Sequence, residues 1–152
     1  MPSLSGGLVL RAGAVYFALV FGAGFLLGSI RVPFLVPRLG ERVAELLEAP
    51  VMLVVIFFAS RHVVRRFALA SLTRASLIVG LFALMLLLAA EVSLAVAISG
   101  RSVLEYISGR DPVSGSVYLA SLLVYAALPW LHARRSRGSI IHKGPTTRSG
   151  GR

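Results

Sequence analysis

The sequence predicts an all-α membrane protein, with four transmembrane helices in an up-down bundle. Three observations carry this. Hydrophobic residues make up 57% of the 152 residues and charged residues only 14%, more apolar surface than a soluble domain this small can cover. The apolar residues come in blocks near the ~20 residues a helix needs to cross hydrocarbon. The basic residues sort to alternate gaps between those blocks, as they do when consecutive helices cross in opposite directions. Residues 1–133 form the expected four-helix domain and 134–152 a basic tail.

The first span is expected over residues 8–30. No charge interrupts it between Arg11 and Arg31. Ala14, Ala18 and Gly22 recur every four residues, and Gly24 and Gly28 form a second small-xxx-small pair. Such a face lets helices approach closely in lipid. Gly22 and Gly24 also imitate a signal-peptide cleavage site. However, nothing basic precedes Arg11 and the apolar run exceeds the usual ~7–15 residues, so the segment is expected to be retained. Pro33 and Pro37 each remove a backbone donor and bias the preceding residue away from helix, so this helix should end near Arg31. The apolar Phe34, Leu35 and Val36 between the prolines suit a segment lying at the interface.

The second span is expected over 41–60. Its purely apolar part, 49–60, is too short to cross alone. The helix must therefore begin near Glu41 and carry Glu45 and Glu48 below the headgroups. Pro50 then falls inside it, frees the Leu46 carbonyl and predicts a kink. Arg61, His62, Arg65, Arg66 and Arg74 read as a basic loop. The third span, 75–99, is apolar apart from Glu91, and a polar loop with Arg101, Glu105, Arg110 and Asp111 follows. The fourth span, 113–133, places Ser114, Tyr118, Ser121 and Tyr125 on one helical face. Pro129 and Trp130 near its end suit an interfacial anchor. From Arg134 the tail is basic and rich in Gly, Ser and Thr, a composition of disordered segments.

With four spans, the N-terminus, the 61–74 connection and the tail share one side. That side holds Arg11, Arg61, Arg65, Arg66, Arg74, Arg134, Arg135, Arg137, Lys143, Arg148 and Arg152 and no acid. The other side holds Arg31, Arg38, Arg42, Arg101 and Arg110 against Glu41, Glu45, Glu48, Glu105 and Asp111. Basic residues mark the cytoplasmic side, so both termini are expected there, in a bacterial inner membrane. The net charge of +10 is thus mostly topological. It also directs the basic loop and tail towards anionic lipid, at about 1 kcal/mol per Lys or Arg. Nucleic acid is not the expected partner, because no RNA- or DNA-binding fold accompanies the tail.

Helix rise sets the depth of the polar residues. Measured from the basic end of each span, Glu48 lies roughly 20 Å above Arg61 and Glu45 roughly 24 Å. Glu91 lies roughly 26 Å above Arg74, and Tyr118 roughly 24 Å above Arg134. Arg31 stands slightly higher, roughly 30 Å above Arg11. Glu45, Glu48, Glu91, Tyr118 and Arg31 therefore form a candidate polar layer in the outer half of the membrane. A carboxylate there is costly, by ~2.5–3.5 kcal/mol at mid-helix, and either pairs with a cation or serves a function. The layer is either a closed structural network or a set of proton- or cation-binding groups facing a cavity.

Cysteine is absent, which excludes disulfides, thiol catalysis and thiolate metal sites. His62, His132 and His142 have no metal-ligand spacing, and no phosphate loop, nucleophile elbow, HExxH or dinucleotide fingerprint occurs. No catalytic residue, metal or cofactor is expected.

The run from Gly28 to Val55, GSIRVPFLVPRLGERVAELLEAPVMLVV, with RHVVRRF at 61–67, resembles an uncharacterised small four-helix inner-membrane protein family of proteobacteria. The resemblance covers about the first half of the chain and implies the membrane fold and a bacterial origin. It implies no catalytic residue. The expected role is a small accessory or structural membrane component. The alternative is a carrier or channel-like protein using the glutamates, which would need an oligomer, for instance through the small-residue face of the first span. A third reading is a membrane-embedded enzyme, with two carboxylates and a tyrosine doing acid–base work on lipid.

Overall fold

The apolar blocks become four long helices in the computed structural model, which describes residues 6–99 and 111–141. Helix α1 covers Gly6–Ile30 and continues through one π-helical turn, Arg31–Leu35, into a short α2, Val36–Leu39. Helix α3 runs Glu41–Arg66, and a 3-10 turn, Leu69–Ser71, leads into α4, Thr73–Ser99. Helix α5 runs Pro112–Ile141. Four stretches, Gly6–Leu39, Glu41–Arg66, Thr73–Ala97 and Pro112–Ser136, are long and apolar enough to cross a membrane. The described residues contain no strand.

The α-helix stops at Ile30, where the prolines place its end, yet the chain keeps a helical path. Pro33 has no N–H to give to the Ser29 carbonyl. The widened turn instead bonds the Val36 N–H to the Arg31 carbonyl, the longer reach of a π turn. The reversal falls at Gly40, whose φ of 78° and ψ of 161° belong to a region that side chains exclude.

Two boundaries differ from expectation. Arg61 to Arg66 do not form a loop, because α3 continues through them. Val63 and Val64, 0% and 2% exposed, keep that turn packed on the core, while the arginines reach outwards from the helix on long stems. Helix α5 likewise passes Ala133 and ends at Ile141. Helix α3 also runs unbroken through Pro50. Residues 100–110, with Arg101, Glu105 and Arg110, and residues 142–152, with His142, Lys143, Arg148 and Arg152, lie outside the described residues.

Helix α1 packs on α3 and α4, and α5 packs on the same two. The four thus form a ring in the order α1, α3, α5, α4, with the consecutive helices α3 and α4 on a diagonal. Their connection has to cross the end of the bundle, and it does so against α5. Leu69, fully buried, is the plug of that crossing. Ser76 Oγ donates to the carbonyls of Leu69 and Leu72, at 3.2 and 3.1 Å.

The other diagonal is closed by two tyrosines. Tyr16 of α1 and Tyr125 of α5 are fully buried, with ring centroids 4.5 Å apart and planes 19° from parallel. Pro129 stands four residues after Tyr125 and has no N–H, so the Tyr125 carbonyl loses its helical partner. The Tyr16 hydroxyl donates to that carbonyl at 2.9 Å. An unpaired carbonyl in an apolar interior is costly, so the contact both fills the core and satisfies the break made by Pro129. Small residues bring the helices close enough. Gly80 of α4 leaves no room for a Cβ against the Ala126 carbonyl, and Gly13 of α1 lies under the Phe82 ring.

The outside is apolar too. Leu123 is 72% exposed and Met85 70%, and Leu26, Phe58 and Leu119 also point outwards. An aqueous surface rarely carries so continuous an apolar area, whereas hydrocarbon accepts it.

Tyr16→Phe is expected to lower stability by about 1–3 kcal/mol, the cost of leaving a buried carbonyl unpaired. Most of that loss should vanish in a Pro129→Ala background, where the alanine N–H supplies the missing donor. Thermal melts of the four proteins in detergent complete the cycle. Equal losses in both backgrounds would remove Pro129 from the account.

Candidate functional site: a charge cluster between α1 and α3

Beginning at Glu41, α3 sets Glu45 and Glu48 three residues apart on one helical face. The π turn at the end of α1 holds Arg31 opposite them. Arg31 Nη1 lies 3.3 Å from Glu45 Oε1, and Arg31 Nε lies 3.1 Å from Glu48 Oε2. The side chains are 24%, 25% and 18% exposed respectively. One guanidinium thus faces two carboxylates in a partly closed setting, which weakens solvent screening and strengthens the attraction. A cavity of about 140 Å³ opens beside the cluster, with Leu27, Ile30, Leu35, Leu47 and Val51 around Arg31 and Glu48.

Glu91 and Tyr118 meet elsewhere, on the α4–α5 pair. The Tyr118 hydroxyl donates to Glu91 Oε2. The five residues of the expected layer thus lie in two groups, Arg31 with Glu45 and Glu48, and Tyr118 with Glu91. The rest of the hydroxyl face of α5 turns inwards. Ser114 is buried, Tyr125 forms the central pair, and Ser121 Oγ donates to its own helix at the Val117 carbonyl, at 2.9 Å.

The small residues of α1 have a different distribution. Ala14 and Ala18 are exposed, and Gly22 and Gly28 have nothing within 4 Å of where a Cβ would stand. Only Gly24 meets another helix, 3.4 Å from the Met52 methyl. The face that packs inside the chain is Ala12, Gly13, Tyr16 and Val20.

Three further polar contacts escaped the sequence reading. One is the Tyr16–Tyr125 pair, for which the four-residue spacing of Tyr125 and Pro129 was an available signal. The second joins Ser60 Oγ to His132 Nδ1 at 2.9 Å, and nothing in the sequence marks it. The third is Asp111, whose position before Pro112 is a helix-start signature. Asp111 Oδ1 accepts the N–H groups of Val113 and Ser114 at 3.0 and 3.1 Å. Its Oδ2 accepts Arg42 Nε at 2.8 Å and also Arg42 Nη2, which fastens the start of α5 to the start of α3. The Arg42 hydrogen bond, helped by the two backbone donors, holds the Asp111 carboxyl below its ordinary 3.8. Among the described residues no group of three His, Asp or Glu side chains could hold a metal.

Comparison with protein-family models, with curated proteins and with solved structures gives no match.

Arg31→Gln should destabilise the protein by about 1–3 kcal/mol, less than the cost of unpairing a fully buried charge. Adding Glu48→Gln to that variant should recover part of the loss, read from thermal melts. A double variant worse than the sum of the singles would contradict a mutual pair. For Asp111 the sign follows from its lowered pKa. Its contribution is complete above about pH 4, where the free carboxyl would already be ionised, and fades as pH falls through the lowered value. Acid melts of the wild type and Asp111→Asn should therefore draw together as pH falls from 3.8 and converge once it has passed the lowered value. A gap that persists in acid would assign the effect to capping alone.

Proposed function

We propose that this chain is a small accessory or structural component of the bacterial inner membrane. In this reading it crosses the bilayer four times as an up-down bundle, with both termini in the cytoplasm. The pairing of each acid in the layer carries the proposal: Glu45 and Glu48 face Arg31, and Glu91 accepts from Tyr118. Matched groups suit a scaffold that must hold polar side chains at membrane depth. The threading is supported by which ends meet. Arg31 meets the start of α3, the start of α3 meets the start of α5, and Ser60 and His132 pair near the ends of those same two helices. It is also supported by the sorting of basic residues. The likeness of residues 28–55 and 61–67 to small four-helix inner-membrane proteins of proteobacteria belongs to this proposal.

A second reading is a carrier, favoured by the cavity beside Glu48. Proteoliposomes distinguish the two. The scaffold predicts no proton or cation flux above that of empty vesicles, and reduced yields of folded Glu48→Gln and Glu91→Gln. Flux in the wild type that is abolished in well-folded variants would establish the carrier. Reporter fusions at the two ends test the threading, and opposite compartments would overturn it.

A further inference from the structure

Two groups of arginines among the described residues differ in their surroundings. Arg31 and Arg42 each face a carboxylate. At the opposite end of the bundle Arg61, Arg65 and Arg135 line one cavity of about 360 Å³, together with Val64, His132 and Ser136. No acid lines it, and among the described residues none of these three arginines has an ion-pair partner. The volume falls within the roughly 300–1,000 Å³ of small-ligand sites. Three arginines lining one half-open pocket with no acid make it a positively charged site that favours an anion.

The pocket is built as well as charged. Arg61 and Arg65 stand four apart on the last turns of α3, and Arg135 and Ser136 follow His132 on α5. The His132 ring is fixed from two sides: Nδ1 is 2.9 Å from Ser60 Oγ, and the ring meets Phe57 edge-on at 4.9 Å between centroids. Ser60 is fully buried. With Nδ1 engaged by Ser60, Nε2 is the ring nitrogen left for a ligand, and it donates in the tautomer in which the Ser60 hydroxyl donates to Nδ1. Guanidinium forks match tetrahedral oxyanions in particular.

We propose that this pocket is a phosphate-binding site, taking the phosphodiester of an anionic phospholipid headgroup or a free phosphate group. The proposal rests on the membrane reading above, which sets this end of the bundle at the cytoplasmic surface. There the headgroups of the inner leaflet lie level with Arg61, Arg65 and Arg135. It narrows a diffuse attraction of basic residues for anionic lipid to one cavity and five polar side chains.

The test uses the full chain in an uncharged detergent, with melting followed against added short-chain phosphatidylglycerol, short-chain phosphatidylcholine or sodium phosphate. A saturable rise in melting temperature is expected with phosphatidylglycerol. Arg65→Gln and Arg135→Gln, both at exposed side chains, should each weaken it about fivefold. The lysine variants should retain part of the effect. Arg11→Gln removes an arginine of the same end that does not line the cavity, and should leave binding unchanged. A response confined to phosphatidylglycerol assigns the site to lipid. Saturation by sodium phosphate, with displacement of the lipid, assigns it to a soluble phosphate. Unchanged binding in both glutamine variants, or an equal loss in Arg11→Gln, would overturn the site. Because detergent-solubilised protein has no sidedness, such a failure would leave the threading untouched.

Discussion

From the end of α1, Arg31 reaches Glu45 and Glu48 on α3 at 3.3 and 3.1 Å, and this charge compensation governs how α3 can be placed. The purely apolar part of α3 is shorter than a bilayer requires, so the helix crosses only if its acidic first turns follow it down. Two uncompensated carboxylates would resist that move. Arg31 offsets part of that cost and ties α3 to α1 in the same contact. The π turn and Gly40 are the backbone devices that let α1 and α3 turn back on each other around this cluster.

The same rule operates in the centre of the bundle on neutral groups. Pro129 breaks one hydrogen bond inside α5, and Tyr16 on a different helix repairs it. In water such a break would be solvated at little cost. In an apolar interior the repair must come from the protein. A proline fault in one helix thereby becomes an adhesive point between two. Glu91 and Tyr118 repeat the pattern between α4 and α5.

The two ends of the bundle differ in how their charges are treated. At one end Arg31 and Arg42 are neutralised by acids of the same chain. At the other, three arginines line a cavity that no acid lines. This asymmetry has the same sign as the distribution of basic residues along the sequence, but it resides in side-chain contacts.

Hydropathy, proline positions and the alternation of basic gaps are local properties, and they were enough to determine four membrane-length helices and the end of the first α-helix at Ile30. That α3 begins at Glu41 and includes Glu45 and Glu48 was legible for the same reason, since it depends only on counting residues against a fixed thickness. The position of each polar residue along its own helix could likewise be read, because rise per residue is constant. What the sequence could not supply was rotation about each helix axis. Apart from the hydroxyl face of α5 and the Glu45–Glu48 face of α3, these helices are apolar on every side, so little marks which side turns inwards, and Ala14 and Ala18 looked as suitable for packing as Ala12 and Gly13. Only the tertiary structure decided that α3 and α4 sit on a diagonal, that Tyr16 meets Tyr125, and that Arg61, Arg65 and Arg135 share one pocket. Each of these depends on contacts between residues far apart in the chain, and a local signal such as the Tyr125–Pro129 spacing marks an unpaired carbonyl without saying which helix supplies its partner.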